Sequence, residues 1–333
     1  MITIKKLSYI FLLPLLAFCT GGNPRATSVR SNVSEHIDTV AHINTSDLNN
    51  TSAYSNTSAY NNSGGGLEQV VRIPPLPAEL TFAGENVPLK YMDVKEALQR
   101  EMTVITYWHA SLTYILQLNN RYEKTIKAIL KEEQIPEDFY YLCIAESGLQ
   151  PVVSPVDAEG YWQFLAPTAK EYGLVVDDEV DERYNIEKST RAAAAYFKKA
   201  YAEFGTWTMA AASFNIGFSN VRFRMNVQSQ KNYYDVQFPE ETSRYLFRAL
   251  AFKTILADPQ TYGFKIEKDQ LFPPLEYSEV KVNGPVANWS VFAAKYKTNF
   301  KILKIYNQWI RANMMVNKKG RTYVVKVPKE GVR

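Results

Sequence analysis

Pro136-Glu137-Asp138-Phe139-Tyr140-Tyr141-Leu142-Cys143-Ile144-Ala145-Glu146-Ser147-Gly148 is the stretch on which the fold turns. Pro136 suits the first turn of a helix, where its missing N–H costs nothing, and Glu137 and Asp138 favour the positive helix end. Gly148 is placed to end the helix in a left-handed cap. Between these signals Phe139, Leu142, Cys143 and Glu146 fall at i, i+3, i+4 and i+7 and share one face. Three are apolar and the fourth is a carboxylate. Burial disfavours its charged form, which can keep a carboxylic acid protonated near neutral pH and ready to act as a general acid. A Glu146 that frays from the last turn into solvent fits the periodicity equally well.

Working outward, Ser154-Pro155-Val156-Asp157-Ala158-Glu159-Gly160-Tyr161-Trp162-Gln163-Phe164-Leu165-Ala166-Pro167-Thr168-Ala169 strings a polar turn, a glycine and an aromatic–amide pair into a second helix start. Further on comes Ala212-Ser213-Phe214-Asn215-Ile216-Gly217. With Glu146-Ser147-Gly148-Leu149 at the head, the ordered set resembles the lytic transglycosylase family, whose catalytic domain is lysozyme-like. That family's signature is Glu-Ser, then Gly-x-x-Gln-Phe-Leu, then an Ala-Tyr-Asn-Ala-Gly-like box. No single piece is specific; the order and the helical spacing are.

The resemblance covers roughly residues 87 to 260 and favours the buried acid. It implies a mainly α fold and cleavage of the β-1,4 bond between N-acetylmuramic acid and N-acetylglucosamine in peptidoglycan glycan strands, with no cofactor. Glu146 takes the catalytic position, protonating the leaving oxygen and then deprotonating the sugar's own 6-hydroxyl, so that a 1,6-anhydromuramyl end forms. Ser154 and Gln163 correspond to groups that hold the sugar and its acetamido group, and Asn215 to one that lines the cleft. Turn capping, a surface amide and helix C-capping are their plainer structural roles. Glu241 and Tyr245 match a Glu-Thr-x-x-Tyr stretch. In that stretch Tyr245 would donate to Glu146 or substrate, and Glu241 would orient backbone amides or simply favour the helix start. Phe214 departs from the family's Tyr, removing a hydroxyl near the acid. Asp157 and Glu159 read as solvated turn residues. A water-using muramidase and a wall-binding scaffold with a decayed site are the alternative functions.

Composition bounds the rest. The 333 residues give room for one sizeable domain and a small one, and 46% hydrophobic residues support an ordinary core. A net charge of +4 is too slight to argue for nucleic acid. His36, His42 and His109 lie outside the signature, so no zinc site is expected. Lys5 and Lys6 precede an apolar run from Leu7 to Phe18 and then Cys19, a secretory signal too short to span a membrane. Leu16-Ala17-Phe18-Cys19 resembles a lipobox, which would make Cys19 a lipidated N-terminus and a membrane partner for the chain; Phe18 departs from the small residue usual there, and ordinary signal cleavage is the other reading. With Cys19 modified or removed, Cys143 reads as a small core residue.

Five segments follow from the chain in order. They are a signal at 1–19, an Asn/Ser/Thr-rich tether at 20–66, a helical extension at 67–134, the lysozyme-like domain at 135–272 and a C-terminal module at 273–333. The tether cannot bury enough apolar surface to offset its ordering entropy. In the extension Trp108, Leu112, Ile115 and Leu116 share a face, as do Tyr122, Ile126, Ile129 and Leu130. Pro167 opens a short helix ended by Gly173, Ser189 is placed to cap a helix running to Phe204, and helices are expected at 207–214 and 240–257. No β alternation appears in this region. Beyond Pro273-Pro274 the pattern predicts a strand at 277–282, helices at 289–296 and 300–310, and a strand at 322–327. This βααβ order resembles a LysM module whose Gly-Asp-Thr/Ser opening is replaced by Asn283-Gly284-Pro285-Val286, so a structural cap competes with a glycan binder. Because the signature lies upstream, the module is expected to be separable from the catalytic domain.

Overall fold

The structure is a computed structural model describing residues 71–329 and 331. The expected signal at 1–19, Cys19 and the tether at 20–66 lie outside the described residues. The first element among the described residues is a tight hairpin, β1 (Thr81–Phe82) against β2 (Glu85–Asn86), turned at Ala83 and Gly84. It leads into α1 (Met92–Tyr107) and α2 (His109–Glu132). The helices break at Trp108, whose ψ of 53° leaves the helical region. The break carries Trp108 off the expected stripe, leaving it 39% exposed while Leu112, Ile115 and Leu116 are buried. Val94, Leu98, Met102 and Ile105 form the buried stripe of α1.

Glu137–Phe139 form a single 3-10 turn that feeds α3 (Tyr140–Ser147), and Gly148 closes the helix at φ 59° as expected. Phe139, Tyr140, Leu142, Cys143 and Ile144 are all buried, so α3 is the middle of the core. A short hairpin follows, β3 (Val152–Val153) against β4 (Glu159–Gly160), and then α4 (Ala166–Glu171). Sequence patterning missed the hairpin because two-residue strands carry no alternation to read.

The long helix α5 (Ile186–Phe204) starts earlier than expected: Asn185, not Ser189, is its cap, accepting from the Lys188 N–H at 3.0 Å. Ser189 sits inside the first turn and donates back to the Asn185 carbonyl. Next come α6 (Trp207–Ile216), α7 (Phe218–Gln228) and α8 (Glu240–Ala257). Buried alanines at 192–194 and 210–212 let α5 and α6 pack closely. The helix α7 buries only Val221 and so has no stripe that periodicity could find. Against α8 lie α1, α3 and α6, which makes α8 the second axis of the domain. No helix among the described residues is long and apolar enough to cross a membrane.

The C-terminal stretch folds as β5 (Tyr277–Val282), α9 (Trp289–Lys295), α10 (Phe300–Tyr306) and β6 (Tyr323–Pro328), with β5 antiparallel to β6 from Tyr277–Pro328 to Val282–Tyr323. The second helix ends at Tyr306, short of the expected Ile310, because Asn307 turns back to the sheet. Its Nδ2 donates to Lys326 O at 2.6 Å and its Oδ1 accepts from Lys326 N at 2.8 Å.

The module is not a loose appendage. Its core of Trp289, Leu303, Trp309, Ile310, Met315 and Val325 takes in Val180 and Tyr184 from the upstream domain. Strand-like bonds join the two, Asp181 N to Trp309 O and Arg311 N to Glu179 O, each 2.9 Å. The Glu179 carboxylate also accepts from Val316 N at 3.0 Å and Asn317 N at 3.3 Å. The expectation of a separable module does not fit this shared core.

Candidate active site

Glu146 lies in the last turn of α3, one turn beyond the fully buried Cys143, at the rim of the core. Facing it from α8 is Tyr245, 1% exposed, whose hydroxyl donates to Glu146 Oε1 at 2.6 Å. Burial pushes the Glu146 carboxyl up from 4.5 to about 7, against the pull of the Tyr245 hydrogen bond and the Arg248 charge, while the Glu241 charge adds to the rise. Glu146 as a residue is only half-buried, so a partner can reach the carboxyl. Burial also pushes the Cys143 thiol well up, with the Glu146 charge adding to it, which leaves an inert thiol.

Behind the pair stands a charged lattice that the sequence reading missed. Glu241 pairs with Arg248 at 3.0 and 3.3 Å rather than orienting backbone amides. Glu101 of α1, 1% exposed, accepts from Arg244 Nε at 2.7 Å and lies 3.8 Å from Arg248. The helix extension thus reaches the site through a buried carboxylate. A signal existed: Leu98, Glu101, Met102 and Ile105 repeat the spacing that drew attention to Glu146. The two acids differ in their partners, a guanidinium pair for one and a tyrosine for the other.

Asn215, near the end of α6, accepts from Thr242 Oγ1 at 2.7 Å through Oδ1, and its amide N–H groups have no partner among the described residues. It is not the helix cap, a place taken by Gly217. Phe214 packs among Phe164, Tyr196 and Phe197, with centroids 5.4, 5.1 and 4.8 Å away. The hydroxyl on the acid is supplied by Tyr245, and Phe214 serves the core.

Ser154 and Gln163 both build the β3–β4 hairpin. Ser154 Oγ accepts from Ala158 N at 3.0 Å, and Gln163 Nε2 donates to Val152 O at 3.0 Å and Gly160 O at 2.7 Å. Gln163 is therefore no loose surface amide, and what it has left to offer a ligand is its Oε1. Asp157 is an exposed turn residue, but Glu159 is not solvated: it accepts from Tyr184 OH at 2.6 Å and pairs with Arg183 at 3.0 Å. Arg183 also binds Asp181 and the Phe164 carbonyl, clamping the hairpin from behind. At Gly160, φ 82°, a Cβ would meet the Arg183 carbonyl oxygen at 2.0 Å, so only glycine fits. Among the described residues no group of His, Cys, Asp and Glu is placed to hold a metal.

The chain is similar to known proteins in two stretches. Residues 123–237 match the family described as Transglycosylase SLT domain, and residues 278–331 match the family described as Soluble lytic transglycosylase C-terminal LysM-like domain. The first match begins within α2 and stops just before α8. Among curated proteins, one named Membrane-bound lytic murein transglycosylase D from Escherichia coli (strain K12) is 26% identical over 207 residues, 60% of this chain and 45% of the relative; the same protein from a second Escherichia coli strain matches equally. The matched part thus spans about half the length of these relatives. The chain carries a lysozyme-like SLT transglycosylase domain followed by a LysM-like domain of the kind that closes soluble lytic transglycosylases.

Proposed function

We propose that this protein is a peptidoglycan lytic transglycosylase that cleaves the β-1,4 bond between N-acetylmuramic acid and N-acetylglucosamine. Glu146 is the catalytic residue: protonated, it gives its proton to the leaving oxygen, and as a carboxylate it takes the proton of the 6-hydroxyl that closes on the anomeric carbon. The product carries a 1,6-anhydromuramyl end and no water is consumed. The observation that carries this reading is the single adjustable acid, held at about 7 beside Tyr245 while Glu241 is occupied by Arg248. Hydrolytic glycosidases commonly need two carboxylates in play. Tyr245 and Glu241 position and tune the acid. The Ser154 hydroxyl, the Gln163 carbonyl and the Asn215 amide are the groups left to meet the sugar.

The domain limits at residues 67, 135 and 273 and an envelope location, with Cys19 as a lipid anchor to the membrane, belong to the same proposal. The relative's name speaks of a membrane-bound protein. Loss of membrane fractionation in Cys19→Ser would support the anchor, and unchanged fractionation would remove it.

The decisive experiment is a mass spectrum of the products released from purified peptidoglycan by wild type and Glu146→Gln. Anhydro ends, lighter by one water than reducing ends, should appear for the wild type. In the variant they should fall by about 10² to 10⁴, the usual worth of a positioned acid–base group. Reducing ends would make the protein a muramidase. Binding to sacculi without any cleavage would make it a scaffold. A folded variant with full activity would remove Glu146 from the chemistry.

A further inference from the structure

Where the SLT domain meets the C-terminal module there is a small cleft of about 120 Å³, open to solvent, that takes no side chain from Glu146, Tyr245, Glu241, Asn215 or Gln163. Both domains line it: Arg121, Tyr122 and Tyr161 from one side, Tyr306, Gln308 and Lys326 from the other. Its floor is a built polar contact, since the buried Tyr161 hydroxyl lies 2.7 Å from Gln308 Oε1 and 3.3 Å from Tyr122 OH. That use of Oε1 leaves the Gln308 amide N–H groups without a partner among the described residues. Lys326 is neutralised by its ion pair with Glu187. Arg121 is not neutralised: its Nε donates to Pro273 O at 3.1 Å, its guanidinium lies over Phe272, and no carboxylate among the described residues is paired with it. Its two terminal nitrogens remain as a fork, the geometry that binds a carboxylate in bidentate fashion.

Ring-bearing walls, one guanidinium with no carboxylate partner among the described residues and a spare amide donor suit part of an acidic saccharide more than an apolar ligand. We propose that the junction cleft is a second ligand site that binds a carboxylate-bearing acetamido sugar of the muramic acid type, with Arg121 on the carboxylate and Gln308 on the acetamido or hydroxyl oxygens. The ligand's identity rests on the peptidoglycan reading; the site's charge and donors do not. Occupancy would hold the two domains together, and Tyr161 connects the floor to the catalytic helix, its carbonyl accepting from the Cys143 thiol at 3.4 Å.

The test uses the full chain titrated with N-acetylmuramic acid, N-acetylglucosamine and muramyl dipeptide, followed by NMR. N-acetylmuramic acid should bind more tightly than N-acetylglucosamine. Arg121→Gln should weaken it roughly tenfold or more, as expected for a lost charge-assisted hydrogen bond, and Arg121→Lys should restore part of the loss. Muramyl dipeptide, whose lactyl carboxyl is an amide and whose free carboxylates lie on the peptide, tells whether Arg121 reads the sugar's own carboxylate or the peptide's. Release of anhydro products from soluble strands should be unchanged in Arg121→Gln. Equal binding of the two sugars, or an affinity untouched by both Arg121→Gln and Gln308→Ala, would overturn the site. A chain that makes anhydro products yet binds neither acidic ligand sinks the cleft alone. One that binds through Arg121 and cleaves nothing sinks only the catalytic reading.

Discussion

The Tyr245 hydroxyl donates to Glu146 Oε1 across 2.6 Å, tying the last turn of α3 to the first half of α8. A hydrogen bond to a carboxylate favours its charged form, so this contact holds the Glu146 carboxyl lower than burial alone would. Cleavage needs the protonated form first. The wild-type kcat/KM should therefore fall as pH rises through about 7. In Tyr245→Phe the restraining bond is gone, so the falling limb should move to higher pH while the rate at the optimum drops roughly tenfold through lost orientation. A pH–rate profile of both proteins on soluble strands checks it; a limb that stays put would mean that Tyr245 does not tune the acid.

Glu241 and Arg248 act on the same carboxyl with opposite signs. The Glu241 charge raises it and the Arg248 charge lowers it. Glu241→Gln removes the first and leaves Arg248 without its nearest counter-charge, so both changes pull Glu146 down and the limb should shift to lower pH. Arg248→Met removes the restraining cation and unpairs Glu241, so the limb should shift up. The two profiles should diverge in opposite directions from wild type. Shifts in one common direction would point to damage to the helix rather than to electrostatics.

These residues also mark what the sequence could and could not disclose. The Gly148 cap of α3, the apolar face of Phe139, Leu142 and Cys143, and the Tyr245 contact were legible, because each follows from local spacing or an ordered motif; the start of α3 was not, since Pro136 heads a separate 3-10 turn and the helix begins at Tyr140. Glu101 shows the limit of that method: it carries the same stripe signature as Glu146, and only its Arg244 partner, 143 residues away, makes it a structural ion. Arg183 was invisible for the same reason, since its partners Glu159, Asp181 and Phe164 converge only in the folded hairpin. Trp108 matched a helical face until one ψ angle broke the helix, and α7 offered no face at all.

The shared core of the C-terminal module changes what a truncation should do. Ending the chain at residue 272 would uncover Val180 and Tyr184 and strip Asp181 and Glu179 of their bonds to Trp309 and Arg311. Exposing two such side chains costs about 3 kcal/mol or more, and for a domain of this size that lowers the melting midpoint by roughly 6 to 12 °C. The hairpin that carries Gln163 is clamped by Arg183, the neighbour of Tyr184, so cleavage of soluble strands should fall as well. A truncated chain with the midpoint and activity of the full one would show the module to be separable after all.

The last expectation separates stability from catalysis at Glu146. Its folded-state value, raised to about 7 from 4.5, means that the folded protein prefers the protonated acid. The stability this group contributes is complete below about 4.5 and is lost as pH rises towards 7, because the unfolded chain ionises freely while the folded one resists. Above 7 the buried carboxylate should cost about 1 to 3 kcal/mol, allowing for the residue's partial exposure. Glu146→Gln removes the ionisation and keeps an oxygen for the Tyr245 hydroxyl. The variant should match wild type in thermal unfolding at pH 4 and exceed it by a few degrees at pH 8, while losing cleavage at both. Equal midpoints at pH 8 would mean that the carboxylate sits there without penalty, and the acid would then lack the raised protonation on which the first step depends.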